Sequence, residues 1–206
     1  NLFRLDRCGV EQISISRLTQ EMFDIDRKFL LFNLGMGCGK TVQTIQYLHR
    51  IQNRPAALGD SVSDSLNSTS TSIWIAPNRA LSHNTKERLN SSGVQCCHYT
   101  LDIKPDEKKK GDLGKKPHVI CVTNSLFYLA SNKTYDLVII DEIETVLELF
   151  VGDFMQKKSD IWERFKRIIL HAKRVILLDA FITTKTIELM RGIDPVSSAV
   201  VFNDTN

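Results

Sequence analysis

The residues best suited by type and spacing to chemistry are Gly35, Met36, Gly37, Cys38, Gly39, Lys40 and Thr41, which follow the apolar run Phe29 to Leu34. The periodic run Val42 to Ile51 comes directly after them. Glycines let a backbone wrap a phosphate with its N–H groups pointing inward, and a helix starting there adds the positive end of its dipole. In such a loop Lys40 reaches the β- and γ-phosphates of ATP, and the Thr41 hydroxyl ligates Mg2+. The general pattern GxxxxGK[ST] asks for glycine at position 34, where this chain has Leu34, but the GxGKT end that does most of the cradling is intact. A Gly-rich turn with a chance Lys-Thr is the competing reading, and the flanking strand and helix disfavour it.

A second cluster lies about one hundred residues on, where the apolar run Leu137 to Ile140 ends in Asp141 and Glu142. Two consecutive acids at the end of a buried strand sit at the C-terminal edge of a sheet, where open α/β folds bind ligands. There Asp141 holds Mg2+ and Glu142 orients and deprotonates an attacking water. Asp141 with Glu144 also reads as a capping box for the next helix. A third apolar run, Val175 to Leu178, ends in Asp179, with Thr183 and Thr184 shortly after. Thr183 alone reads equally well as a helix N-cap.

The elements that must position these residues follow from hydrophobic patterning. Lys28 to Leu34, Ser72 to Ala76, Val94 to Tyr99, His118 to Val122, Asp136 to Ile140, Arg174 to Leu178 and Ser198 to Phe202 are short apolar runs. Most are continuous rather than alternating, as expected of strands covered on both faces. Candidate helices lie between them, at about 40–52, 79–90, 124–131, 143–150, 158–171 and 184–191. Strand and helix in alternation predict an α/β fold: a mainly parallel sheet of about seven strands with helices on both faces, preceded by a helical lead-in over 1–27. Residues 59–71 are rich in Ser and Thr and read as a flexible surface loop, and so does the lysine-rich stretch 104–117, which could also touch phosphates.

Composition bounds the class. The chain has 206 residues, 42% hydrophobic and 25% charged, as in an ordinary globular domain rather than a disordered or fibrous chain. A net charge of +3 permits nucleic-acid contact without arguing for it. No apolar run approaches the roughly 18 residues of a membrane span, so no membrane partner is expected. The five cysteines, with no CxxC spacing, fit free thiols in an intracellular, reducing compartment. The first residue is not Met, which suggests a piece of a longer protein.

Taken together, the motifs resemble those of superfamily 2 helicases. Leu34 to Thr41 is similar to motif I, whose usual form is AxxGxGKT; Asp141-Glu142-Ile143-Glu144 is similar to the DExx box; Leu178-Asp179-Ala180 with Thr183 is similar to motif III. Ile75-Ala76-Pro77-Asn78-Arg79-Ala80-Leu81 falls where motif Ia should be. With Val122 to Leu129, the set looks most like the origin-binding-protein helicases of herpesviruses and other large DNA viruses. The resemblance covers roughly residues 28 to 185. It implies the first, ATP-binding RecA-like domain of a viral DNA helicase, occupying 1–206 and paired in the parent chain with a second RecA-like domain.

By the same resemblance Pro77, Asn78, Arg79, Ser125 and Leu126 line the path of a single-stranded or origin DNA strand, and Asp179 and Thr183 couple hydrolysis to strand movement. Arg79 reads alternatively as a solvated helix-start residue. Gln12 and Gln20 sit in patterns too loose to assign to adenine. Replication proteins are the other implied partners, at a nuclear or cytoplasmic replication site. Two other functions compete: a viral packaging-type P-loop ATPase, and a nucleotide-dependent nucleic-acid-binding module without motor activity.

Overall fold

The computed structural model describes residues 11–15, 17–53, 71–103, 113–153, 155–193 and 198–203. Thirteen strands and helices run along the chain: β1 Glu11–Ile15, β2 Phe29–Asn33, α1 Lys40–Gln52, β3 Ser72–Ala76, α2 Arg79–Ser91, β4 Cys97–His98, β5 His118–Val122, β6 Leu137–Asp141, α3 Ile143–Val151, α4 Lys158–His171, β7 Arg174–Asp179, α5 Thr184–Ile193 and β8 Ser198–Asn203. The strands form one sheet in the order β1-β8-β2-β7-β6-β3-β5-β4. Every described pairing is parallel. All strands therefore end on the same edge, and each loop that follows a strand emerges there.

Continuous apolar strands are explained by a core on each face. Phe29, Leu31, Ile73, Ile75, Val138, Ile140, Val175 and Leu177 face α3, α4 and α5, with Val146, Ile161, Phe165 and Ile187 against them. The residues between them, Leu30, Phe32, Trp74, Ile139, Ile176 and Leu178, face the other way, onto Ile45 and Leu48 of α1 and Leu89 of α2. Successive strand side chains point to opposite faces, so only a run apolar at every position serves both cores. Leu34 belongs to the α1-side core and is almost fully buried.

The expected α/β architecture is present, with four differences. The sheet has eight strands rather than seven, because Glu11–Ile15 pairs with β8 where a helical lead-in over 1–27 was expected. A 3-10 turn, Gln20–Asp24, follows it, and residues 1–10 lie outside the described residues. The Phe23 and Ile25 carbonyls of this segment accept from the buried Arg174 guanidinium, which pins it to β7. Only Cys97–His98 of the predicted Val94–Tyr99 strand pairs with β5. The expected helix at 124–131 is a 3-10 segment, Thr123–Tyr128. In the lysine-rich stretch, Leu113–Lys115 forms a 3-10 turn with Leu113 in the core, and 104–112 lie outside the described residues, as do 59–70. Cys38, Cys96, Cys97 and Cys121 are free thiols.

Candidate functional site

The strand order decides which loops meet. From β2, neighbours along the edge are β7, β6, β3, β5 and β4, so the loops carrying the predicted residues line up in that order. The glycine-rich loop follows β2, Asp179 to Thr183 follow β7, Asp141-Glu142 follow β6, Pro77 to Arg79 follow β3, and Asn124-Ser125 follow β5. Neighbouring strands lie about 4.8 Å apart, which places β6 about 10 Å from β2, a span that a bound phosphate and metal ion bridge.

Residues 35–39 are a loop whose geometry needs glycine at two positions. Gly37 and Gly39 have φ of +78° and +76°, and a Cβ at either would meet nothing within 4 Å. The backbone there is open as well as left-handed, as a surface that closes on a ligand must be. Leu34 is not among the residues with positive φ, so its departure from glycine costs no backbone strain. Gly39 stands at the N-cap of α1, and Met36 and Cys38 are exposed. Lys40 folds its ammonium back onto the Leu34 and Gly35 carbonyl oxygens. Partial burial lowers its pKa, against the pull of Cys38, Asp179, Asp141 and Glu142. Thr41 is half-buried beside it.

Asp141 is 6% exposed and ends β6 on the face shared with Trp74 and Leu178. Burial raises its pKa to about 6, with repulsion from Glu142 adding to it; the Trp74 indole and Lys40 act in the other direction. The indole lies close enough for that, yet no well-formed hydrogen bond joins it, and Asp141 Oδ2 is buried with no partner among the described residues. A desolvated carboxylate with an orphaned oxygen fits a cation. Glu142 is exposed and stands at the N-cap of α3 with φ 50° and ψ 60°. Left-handed backbone is uncommon outside glycine and costs of order 1 kcal/mol or more, strain that concentrates at functional sites.

Asp179 and Glu144 cap each other's helices. The Glu144 N–H donates to Asp179 Oδ2 at 2.9 Å, and the Ala180 N–H donates to Asp179 Oδ1 at 2.7 Å. The Glu144 carboxylate accepts from the Thr183 N–H, the Thr183 hydroxyl and the Thr186 hydroxyl, each at 2.7 Å. Thr183 also caps α5, accepting from the Lys185 N–H at 3.2 Å, as the N-cap reading expects. Asp179 reaches the glycine-rich loop too, because its carbonyl accepts from the Leu34 N–H at 3.1 Å.

On the other half of the edge, Pro77, Asn78, Arg79 and Ser125 line one cleft of about 290 Å3 with Tyr99, Thr100, Asn124 and Tyr128. Asn78 caps α2 through Oδ1, accepting from the Leu81 N–H at 2.9 Å, and Arg79 is exposed at the helix start. Pro77 is buried and lines the cleft, whereas Leu126, expected beside the strand, is fully buried in the core and does not line it. Ser125 is 3% exposed and lies at the cleft floor. Asn124 and Tyr128 fall within the stretch Val122 to Leu129 but were given no role of their own there; Thr100 carries no signal beyond following β4, which is two residues long. Gln20 bonds the carbonyl and side chain of Gln43 in α1, at 2.8 Å each.

The fold is that of RecA-like helicase domains. Similar architectures occur in the helicase domain of Hef from Pyrococcus furiosus, with TM-score 0.58, 13% identity and 92% of this chain and 38% of that one covered. They also occur in the DEAD-box helicase Mss116 bound to ssRNA and UDP-BeF, with TM-score 0.58, 15% identity and 90% and 38% covered. The chain belongs to the herpesvirus origin of replication binding protein family, whose description matches residues 14–204. It is 22% identical over 175 residues to the replication origin-binding proteins of human herpesvirus 6B (strain Z29) and 6A (strain Uganda-1102). Those residues are 85% of this chain but 20% of each relative, so the chain spans about a fifth of their length. Among the described residues no helix is long and apolar enough to cross a membrane.

Proposed function

We propose that residues 1–206 are the first, ATP-binding RecA-like domain of a viral DNA helicase, acting with a second such domain in the parent chain. The observation that carries this is the alignment of a glycine cradle, an orphaned buried carboxylate and a capped relay on three adjacent strands.

The N–H groups of 35–39 hold the phosphates, and Lys40 exchanges its loop carbonyls for phosphate oxygens. Thr41 and Asp141 hold Mg2+. The bound ion supplies positive charge that neutralises the transferring phosphoryl group. Glu142, exposed beside Asp141, positions and deprotonates the attacking water. Glu144, Asp179 and Thr183 fix α3 and α5 to the β2 loop, so a change at the nucleotide is felt by both helices. Pro77, Asn78, Arg79 and Ser125 face a single-stranded or origin DNA strand, with hydroxyl groups, helix N–H groups and one guanidinium offered to phosphates. Arginines from a second domain are worth roughly 10³ to 10⁵ in rate in related phosphoryl-transfer enzymes. The isolated chain therefore binds ATP with Mg2+ and hydrolyses it poorly. Its setting is intracellular, at a nuclear or cytoplasmic replication site with other replication proteins.

Steady-state hydrolysis by the isolated chain and by the full-length parent, with and without single-stranded DNA, tests this reading. The expected result is a slow chain and a fast, DNA-stimulated parent that Lys40→Ala silences. A fast isolated chain overturns the two-domain reading, and a parent indifferent to DNA points to a packaging-type ATPase or a module without motor activity.

A further inference from the structure

The cleft beyond β3, β5 and β4 holds more than a phosphate needs. Among the described residues none hydrogen-bonds the side chains of Asn124, Ser125 or Tyr128, although Ser125 is 97% removed from solvent and lines the cleft. The Ser125 hydroxyl is not sealed from solvent, so it can bond a ligand that enters the cleft it lines. Next to it Tyr128 is 38% exposed, a large aromatic left open on a polar rim.

Its ring meets Phe127 edge-on, centroids 6.0 Å apart at 74°, so this neighbour does not stack on its faces. Phe127 is itself held. The Lys157 ammonium sits 3.8 Å and the Arg164 guanidinium 5.2 Å from its ring centroid. Arg164 is buried and donates to the Leu126, Phe127 and Leu129 carbonyl oxygens, clamping the end of the 3-10 segment to α4. Tyr128 is thus an open ring on a fixed support, which loses little entropy when it stacks.

We propose that this cleft is a nucleobase site: one unpaired base of the bound strand stacks on Tyr128, with its hydrogen-bonding edge read by the Asn124 carboxamide and the Ser125 hydroxyl. The proposal rests on the strand-path reading above and deepens it, from a track for phosphates to a step that senses bases. The ligand class is single-stranded nucleic acid with an intact base at one register. Every base has a π-face, so stacking alone is tolerant of sequence; a carboxamide that pairs bidentately with adenine adds preference.

The test uses the full-length parent and single-stranded DNA oligonucleotides of one sequence in which a single abasic residue is moved position by position, with affinity read by fluorescence anisotropy. The wild-type protein is expected to lose about tenfold at one register, within the range of base-aromatic stacking. Tyr128→Ala should bind the intact strand about tenfold more weakly and no longer respond to the abasic position, whereas Tyr128→Phe keeps both properties. Asn124→Ala should flatten the preference among four bases at that register while leaving the abasic penalty. Equal wild-type affinity at every abasic position overturns the proposal, and that arm needs no variant to fold. Arg79→Ala separates the two readings: weaker binding by Arg79→Ala with normal binding by Tyr128→Ala keeps the strand path and removes the base site. Unchanged binding by both removes the strand path as well.

Discussion

The Glu144 carboxylate, in the first turn of α3, is bonded twice to Thr183, by the backbone N–H and the hydroxyl at 2.7 Å each. Thirty-nine residues separate the two, and β7 and all of α4 lie between them in the chain. The contact makes the helix that follows the Asp-Glu pair and the helix that follows Asp179 into one unit. The same carboxylate also accepts from the Thr186 hydroxyl, so one side chain holds two threonines of the segment that starts α5.

Glu144→Ala should therefore destabilise the chain by about 1 to 2 kcal/mol, less than a fully buried charged hydrogen bond because the groups are partly exposed. In the full-length parent the same change should leave nucleotide affinity intact and reduce the stimulation of hydrolysis by DNA. Denaturant melts and DNA titrations check the two halves separately; full stimulation in Glu144→Ala would remove the coupling role.

Leu34 and Lys40, on either side of the glycine-rich loop, make opposite predictions. Leu34 is core, so Leu34→Ala should cost about 2 to 5 kcal/mol by cavity formation and leave ATP affinity unchanged. Lys40→Ala should leave stability nearly unchanged and weaken ATP binding at least about tenfold, the loss of a charge-assisted contact. Chemical denaturation and calorimetric titration on the same two variants would show the crossover.

Glu142 holds an unfavourable, left-handed backbone at the start of α3. Asparagine enters the left-handed region more readily, so Glu142→Asn should match or exceed the wild-type stability by up to about 1 kcal/mol. Hydrolysis by the full-length parent should fall by about a hundredfold or more, the usual contribution of a general base. A variant both stable and active would show that Glu142 is only a helix-start residue.

His118 gives the fold an acid-sensitive point. Burial lowers its pKa below 6.5, and its Nδ1 lies 3.0 Å from the Ser72 hydroxyl. Below 6.5 the unfolded chain takes up a proton that the folded chain resists, so this contribution is full above that pH and is lost as pH falls toward the folded value. Urea midpoints between about pH 7 and pH 5 should decline less steeply for His118→Gln than for the wild type.

Much of the site was legible in the sequence because its residues are local. Gly35 to Thr41 is one contiguous stretch, two of whose glycines, Gly37 and Gly39, hold left-handed backbone, and Asp141-Glu142 ends a run that only a doubly covered strand would have. The β1 strand was not legible. Its partner, Ser198–Asn203, lies at the other end of the chain, and a short edge strand carries no pattern that says so. The cleft was half legible: Pro77 to Arg79 follow a clear strand, whereas Thr100 follows one of two residues.

By itself the sequence determined which residue types stand on each loop and the α/β class, since periodicity and backbone preference act over a few residues. Only the tertiary structure decided adjacency. β7, late in the chain, inserts between β2 and β6, which sets Asp179 between the glycine-rich loop and Asp141; β3 then carries the strand cleft beyond them. That order is fixed by which apolar surfaces pack across both faces of the sheet, a sum over contacts distant in sequence that no single segment encodes.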